Sequence, residues 1–509
     1  MKKYKKYALG LIIISVVIKL LLAASVELGN DEVYYWTYAL HLQWNYFDHP
    51  PMVGWLIRLT TLNLFFHQEV FVRLGAIVAS AASTWMIFKT GSLIRDEKTG
   101  WYAALLFTAS IYSSVIAGLF ILPDSPQLFF WLWAIYLLCK ITLLTPGDKQ
   151  ARLLWVLFGL AAGLCMMCKV HGVFVWAGAG LYILLFERQW LKNLWIYVAV
   201  LISLLIISPV IIWNFENHFI TYLYHSGRVS LRGMPLNFNA FIREFLGQVA
   251  YNNPVNFVLV SLSVWTCVSA KECKPYVRML LCCSLPLIFT LLIISTFRDT
   301  LPHWSGPAYS TLLLLAAIRL AENPKFSAYQ IPVSIKSGLI VLLVFMFGGL
   351  AAVNFYPGTI SNDKELPGKG DATLDMYGWK KFGHQMDSLY RSDKALGKMG
   401  PKARIIVTEW FPAAHIDFYV AQKGGLSTYA KGYMFDLHQY VWTNTLKPPL
   451  KIGEDAYFIQ PSNLFRPEAL TYLQKRFKEI EAPDTVSEYR NGALCRQFFV
   501  YRLRGYLGK

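Results

Sequence analysis

The sequence predicts an α-helical polytopic membrane protein of about eleven spanning helices, followed by a small exterior α/β domain. Three observations predict it. The 509 residues are 55% hydrophobic and only 16% charged, with a mean hydropathy of +0.39, whereas soluble domains carry about 25% charged residues. Apolar runs of spanning length recur up to residue 354. Beyond it the composition shifts: residues 355–509 hold 22 Lys+Arg against 16 Asp+Glu and no spanning run.

The candidate spans are 7–26, 69–94, 101–121, 125–144, 152–168, 171–187, 192–213, 253–270, 276–296, 303–321 and 335–354. Runs of about 17–25 apolar residues suit helices crossing the hydrocarbon core and exceed what a barrel strand needs. The first run, behind "MKKYKK", has the look of a signal peptide. It is read as an uncleaved anchor, because a polar segment follows it directly. The inside loops are then "IRDEK", "TPGDKQAR", "ERQWLKN", "KECKPYVR" and "IRLAENPK", each with Lys or Arg. Positive charge marks the cytoplasmic side, so the N-terminus is expected there. The segments 27–68, 122–124, 169–171, 214–252, 297–303 and everything after 354 are expected outside.

The net charge of +17 reads as topology-setting charge and attraction to anionic lipid rather than as a nucleic-acid surface. Of the eight cysteines, Cys165 and Cys168 have redox or zinc spacing. They lie in a hydrophobic helix with no second pair, so two packed small residues is the better reading. Cys273 falls in a short loop, and no disulfide framework is visible.

In the tail, "ARIIVTEW", "DAYFIQ" and "CRQFFVYRLRG" read as strands, and "PAAHIDFYVAQKGG" and "PEALTYLQKRF" as helices. This alternation predicts a small α/β domain. Residues 357–371, "PGTISNDKELPGKGD", read as a linker or mobile loop. The expected domains are 1–354, with a catalytic first exterior loop at 27–68, and 355–509.

Every unusual polar cluster falls on the expected outer face: Asp31, Asp48, His49, Asp124, Lys169, Arg228, Arg298 and His303. Ionisable groups at membrane depth are costly and usually mark function. Each has a plainer reading too. Asp31-Glu32 either solvates a helix end and gains from its dipole or supplies a general base. Pro50-Pro51 either makes a plain turn or stiffens a corner that presents Asp48 and His49. Asp124 either caps a helix or aims a second carboxylate at the same cavity. Lys169 either snorkels or pairs with a phosphate, with Arg298 and His303 at the same level. Together these are carboxylates to activate a nucleophile and cations to neutralise an anionic leaving group. No P-loop, Rossmann glycine fingerprint or H-E-x-x-H motif is present.

The stretches "DEVYYW…YFDHPPMVGWLI", "LPDSPQLFFW", "SPVIIWNFENHFI…HSGR" and "PHWSGPAY" resemble, in that order, the polyprenyl-phosphate-sugar-dependent glycosyltransferases of the protein-mannosyltransferase superfamily. This group, also called family-39-like or GT-C type, includes the aminoarabinose transferases that modify lipid A and the galacturonosyltransferases of rhizobial lipopolysaccharide. The resemblance covers roughly residues 27–310. It implies a multi-pass enzyme of the bacterial inner membrane with its site and tail domain in the periplasm. Its donor would be a sugar on polyprenyl phosphate, and its acceptor an envelope glycan, lipid (lipid A included) or protein. Membrane lipids are its surroundings and nucleic acid is not a partner. Asp31 matches the first-loop acid, which would act as base in an inverting attack that expels polyprenyl phosphate. Asp48 and Asp124 match further acids. Tyr34 and Tyr46 match tyrosines that approach the lipid phosphate, for which His49, Lys169, Arg298 and His303 are further candidates. Glu32, Arg228 and Trp304 are candidate substrate contacts. One departure stands out: the aminoarabinose transferases have Glu-Lys-Pro-Pro where this chain has Asp48-His49-Pro50-Pro51, so a fixed charge becomes a titratable one. A divalent metal on Asp31, Asp48 and a histidine is compatible with this set, although some members need none. The tail's "TEWFPAAHIDFYV" and "FDLHQYVW" look like exterior domains of bacterial members, which implies a domain that covers the cavity and helps choose the acceptor. The competing class is a transporter or lipid-linked-sugar flippase, which predicts ionisable residues through the membrane depth and paired repeats with broken helices. Neither is visible.

Overall fold

The computed structural model describes residues 2–230, 233–269, 274–327, 329–400 and 403–508. Cys273 and the first residues of the "KECKPYVR" loop lie outside the described residues. In chain order the larger helices are α1 (Lys2–Ser25), α2 (Asn30–Leu40), α3 (Met52–Thr60), α4 (Glu69–Ile94), α5 (Glu97–Ala109), α6 (Asp124–Ile141), α7 (Lys149–Met166), α8 (Val173–Phe186), α9 (Leu194–Glu216), α10 (Ile220–Val229), α11 (Phe238–Tyr251), α12 (Pro254–Val268), α13 (Pro275–Ser295), α14 (Gly306–Glu322), α15 (Val333–Phe355) and α16 (Trp379–Ala395).

A helix lies on each candidate span, but six of them (α1, α4, α7, α9, α13 and α15) are long and apolar enough to cross a membrane by length and composition. The count of eleven crossings is therefore not confirmed. For α6, with 18 residues, the reason is composition; for the others it is length, since α5, α8, α12 and α14 have 13, 14, 15 and 17 residues. At about 1.5 Å per residue they fall short of a core about 30 Å thick.

The chain divides into two compact units. The first gathers the residues up to Leu21, Gln43–Phe66 and Val70–Met346; the second gathers Leu22–Leu42, His67–Glu69 and everything from Phe347 onward. The first is helical, with a core that includes Trp131, Trp155, Phe158, Leu312 and Leu315. Close backbone approach holds it together where apolar burial cannot, because lipid is as apolar as leucine. A Cβ on Gly159 would sit 2.4 Å from the Ala199 carbonyl oxygen, so α7 and α9 touch through backbone, and the Ser203 hydroxyl donates to the Gly159 carbonyl at 2.6 Å.

The second unit is α/β. Six strands, β1 (Arg404–Val407), β2 (Ser427–Ala430), β3 (Ala456–Pro461), β4 (Phe477–Ile480), β5 (Asp484–Arg490) and β6 (Ala493–Tyr506), form one mixed sheet of order β2-β1-β3-β6-β4, with β5 also on β6. β1 runs parallel to β2 and β3; β6 is antiparallel to β3, β4 and β5. Buried ion pairs pin it. Arg502 grips the Asp393 carboxylate with two bonds of 2.7 and 2.8 Å, and Tyr457 donates to the same carboxylate at 2.7 Å. Residues 357–371 are not the free linker the composition suggests. Asp371 accepts from Thr359 and the Ile360 N–H and pairs with fully buried Arg490 at 3.2 Å. Arg490 also donates to the carbonyls of Gly358 and Val353.

Candidate active site

In the helical unit the Asn45–Pro51 corner is fixed from below by α10. The Asn45 amide donates to the Tyr46 carbonyl (2.9 Å) and to the Thr221 hydroxyl (2.8 Å), and Thr221 donates to the same carbonyl at 3.0 Å. The Tyr46 N–H closes a turn onto the His49 carbonyl at 3.1 Å. Tyr46 and Asp48 are buried, and the Tyr46 hydroxyl accepts the Gln43 N–H at 3.1 Å. His225 Nε2 donates to the Asp48 carbonyl at 2.6 Å, and its ring lies 5.7 Å from that of His49. Pro51 then caps α3, so the Pro-Pro pair ends one segment and starts the next.

Asp124 is the first residue of α6, and Pro123, not Asp124, holds the cap position expected for the aspartate. Its Oδ2 instead takes the Lys169 ammonium at 2.8 Å, with both side chains at most 4% exposed. Its other oxygen accepts from Tyr112 at 3.2 Å. Tyr112 opens a π-helical stretch, Tyr112–Ile116, an irregularity often found at functional sites. Lys169 extends from the bend between α7 and α8 and points inward, so it does not snorkel.

Trp304, just before α14, is the hub. Its ring lies 4.8 Å from that of His171, 5.8 Å from the Lys169 ammonium and 5.3 Å from the Arg228 guanidinium. Arg228 also lies over Tyr224 at 5.5 Å. Arg298 is anchored by the carbonyls of Gly227 and Ser230. Together with Arg228 it lines a cavity of about 720 Å³ whose walls include Leu236 and Phe238. His303 packs on Tyr251 with ring centres 5.9 Å apart. Burial, then the neighbouring His225, Lys169, His171 and Arg228, hold His49 well below the usual histidine range. Burial first holds His225 down to about 4, against the opposing effect of its bond to Asp48. Both rings are neutral near pH 7 in the free protein, so position 49 carries no charge there.

Asp31, Glu32 and Tyr34 lie on α2, which clusters with the α/β unit. Asp31 is exposed. Glu32 is buried, and its carboxylate accepts the Gly29 N–H at 2.9 Å, a capping role for a residue expected to touch substrate. Tyr34 is buried against Trp410 at 4.8 Å, and its hydroxyl accepts the Gln439 N–H at 3.3 Å. Among the described residues no group of three or more His, Cys, Asp or Glu side chains is placed to hold a metal ion. Sequence reasoning passed over His171, His225, Tyr112, Asn30 and His415. His171 and His225 were legible only as members of "CKVHG" and "HSGR".

Comparison with known proteins bears on this arrangement. Residues 48–213 match a family model described as dolichyl-phosphate-mannose-protein mannosyltransferase. A lipid A galacturonosyltransferase of Rhizobium johnstonii is 23% identical over 68% of this chain and 69% of its own length. An undecaprenyl phosphate-α-4-amino-4-deoxy-L-arabinose arabinosyl transferase of Pseudomonas aeruginosa is 27% identical over 59% of this chain and 54% of its own. The chain thus spans about half the length of that relative. The crystal structure of ArnT from Cupriavidus metallidurans superposes with a TM-score of 0.62 at 15% identity, covering 97% of this chain and 98% of that one. Another structure of the same protein is bound to undecaprenyl phosphate. The fold is the GT-C type. In fold and in sequence the chain is thus similar to membrane glycosyltransferases of the protein-mannosyltransferase and aminoarabinose-transferase kind.

Proposed function

We propose that the protein moves a sugar from a polyprenyl-phosphate donor to an envelope acceptor at the periplasmic face of the bacterial inner membrane. Residues 355–509 form its exterior domain in this reading. The observation that carries it is the cationic, largely buried centre at Trp304, where Lys169 and Arg228 lie over the indole ring, Lys169 pairs with Asp124, and the neutral rings of His49 and His225 lie near both cations. Such a centre suits a phosphate whose negative charge grows as it leaves. An arriving phosphate would favour protonated His49 and His225, adding donors to the leaving oxygen. Asp124, held between Lys169 and Tyr112, keeps the lysine oriented. Arg228 and Arg298 supply charge toward the cavity, and Tyr34, Tyr46 and His303 remain candidate donor contacts. Asp31 is the general base: it removes the acceptor's proton as the hydroxyl oxygen bonds to the anomeric carbon and the carbon–oxygen bond to the phosphate breaks, with inversion. Asp48 and Trp304 frame the substrates.

The test is mass spectrometry of envelope lipids and glycans from a deletion strain complemented with wild type or Asp31→Asn. Loss of a single sugar-sized mass, restored by wild type and not by Asp31→Asn, is expected. An unchanged envelope, or full complementation by Asp31→Asn, would overturn the reading.

A further inference from the structure

The residues around Asp31 are held far more tightly than a helix start requires. The Glu27 carboxylate accepts the N–H groups of Trp379 (2.8 Å) and Lys380 (3.0 Å) at the start of α16. The Leu28 N–H donates to the Tyr419 hydroxyl at 2.8 Å, and Glu32 closes back on Gly29. His415 Nε2 meets the Asn30 side-chain oxygen at 2.8 Å, and Asn30 also hydrogen-bonds the Asp375 carboxyl group. Asp31 is the exposed residue in the middle of this clamp.

The chemistry of the clamp sets its direction. Ionised Asp375 can only accept, so the Asn30 amide must turn its NH₂ toward it and its oxygen toward His415. His415 must then donate from Nε2. The ring is fully buried, stacked on Trp379 with centres 4.2 Å apart and planes 6° apart. Burial, then Arg496, holds it well below the usual histidine range. It is therefore neutral with its one proton on Nε2, and Nδ1 has no hydrogen-bond partner among the described residues. A buried imidazole that leaves one nitrogen unsatisfied to serve one partner is a costly way to hold a helix start.

We propose that His415 and Asn30 are positioning residues for Asp31, fixing the first turn of α2 so that the neighbouring carboxylate is aimed at the acceptor hydroxyl. Gly29, at the cap of α2, has no side chain to hold this turn, and effective proton abstraction tolerates little misplacement. The inference rests on Asp31 being the base.

The experiment uses the full chain in the deletion strain, with envelope modification measured by mass spectrometry per folded protein in the membrane. Purified full-length protein is followed by thermal unfolding and amide hydrogen exchange. His415→Leu and Asn30→Ala are expected to lower modification at least tenfold while the folded amount holds, and to speed exchange across residues 30–34. His415→Gln, whose amide N–H can reach the same oxygen, is expected to restore at least a third of wild-type modification. Wild-type modification by His415→Leu and Asn30→Ala, with Asp31→Asn inactive, overturns the positioning role and leaves the base intact. Loss of modification matched by loss of folded protein in both, without rescue by His415→Gln, also overturns it, since the contacts would then serve folding alone. An active Asp31→Asn removes the base itself and the inference with it.

Discussion

At the scale of single residues, the buried Asp124–Lys169 pair is the sharpest feature. Removing one partner strands the other charge in a dry site, which typically costs about 3–5 kcal/mol. Lys169→Met or Asp124→Asn alone should destabilise the helical unit by that order. The double variant should recover much of the loss, because no charge is left unpaired. Thermal unfolding in detergent, run as a double-mutant cycle, measures this.

His225 makes a pH-dependent claim. Its folded-state pKa of about 4 lies below the unfolded value near 6.5, so the unfolded chain binds the proton first. Stability should be full above about pH 6.5 and fall as pH drops toward 4. His225→Gln should flatten that acid limb. Asp375 behaves in the opposite sense. Burial pushes its carboxyl up to about 6, so stability should fall as pH rises from about 4 to 6. Asp375→Asn should therefore stabilise the α/β unit at pH 7 by about 1–2 kcal/mol and not at pH 4. Unfolding curves at the two pH values check the sign.

At the scale of elements, the α7–α9 contact depends on Gly159. The atom facing it is backbone, which cannot rotate away, so Gly159→Val should force the helices apart and cost about 1–3 kcal/mol or more. The tail's elements show where local reading stops. β1, β3 and β6 were legible from β-rich runs, and the Pro467–Gln474 helix from its proline start. β5 was missed because "DTVSEYR" is mostly polar; the Asn491-Gly492 turn, with φ of 47° and 81°, was the available hairpin signal. α16 was missed because its apolar stripe (Trp379, Phe382, Met386, Tyr390) is spread thinly among charges. The supposed loop at 357–371 is ordered by Arg490, more than a hundred residues away, which no local composition reveals.

At the scale of the whole molecule, α2 belongs structurally with the distant tail. Trp36 packs edge-on against Phe418 at 4.9 Å, and Tyr34 against Trp410. A chain ending at residue 354 should therefore leave residues 27–42 protease-sensitive and lose transfer, even if its membrane helices still insert. Limited proteolysis of the truncated and full-length chains in liposomes would show it.

The sequence by itself determined the class of protein, the places where helices form, the α/β character of the tail and the motifs that carry the chemistry. Hydropathy, charge and turn residues act over a few neighbours, and those neighbours are written in order. It did not determine what the charged groups do. Asp124 had a plain local explanation as a helix cap beside a functional one, and only packing chose its partner, 45 residues away. Asn30 finds His415 across 385 residues. Such choices are made by whichever distant surfaces the fold presses together, where an unpaired polar group would be costly. That information exists only in the tertiary structure.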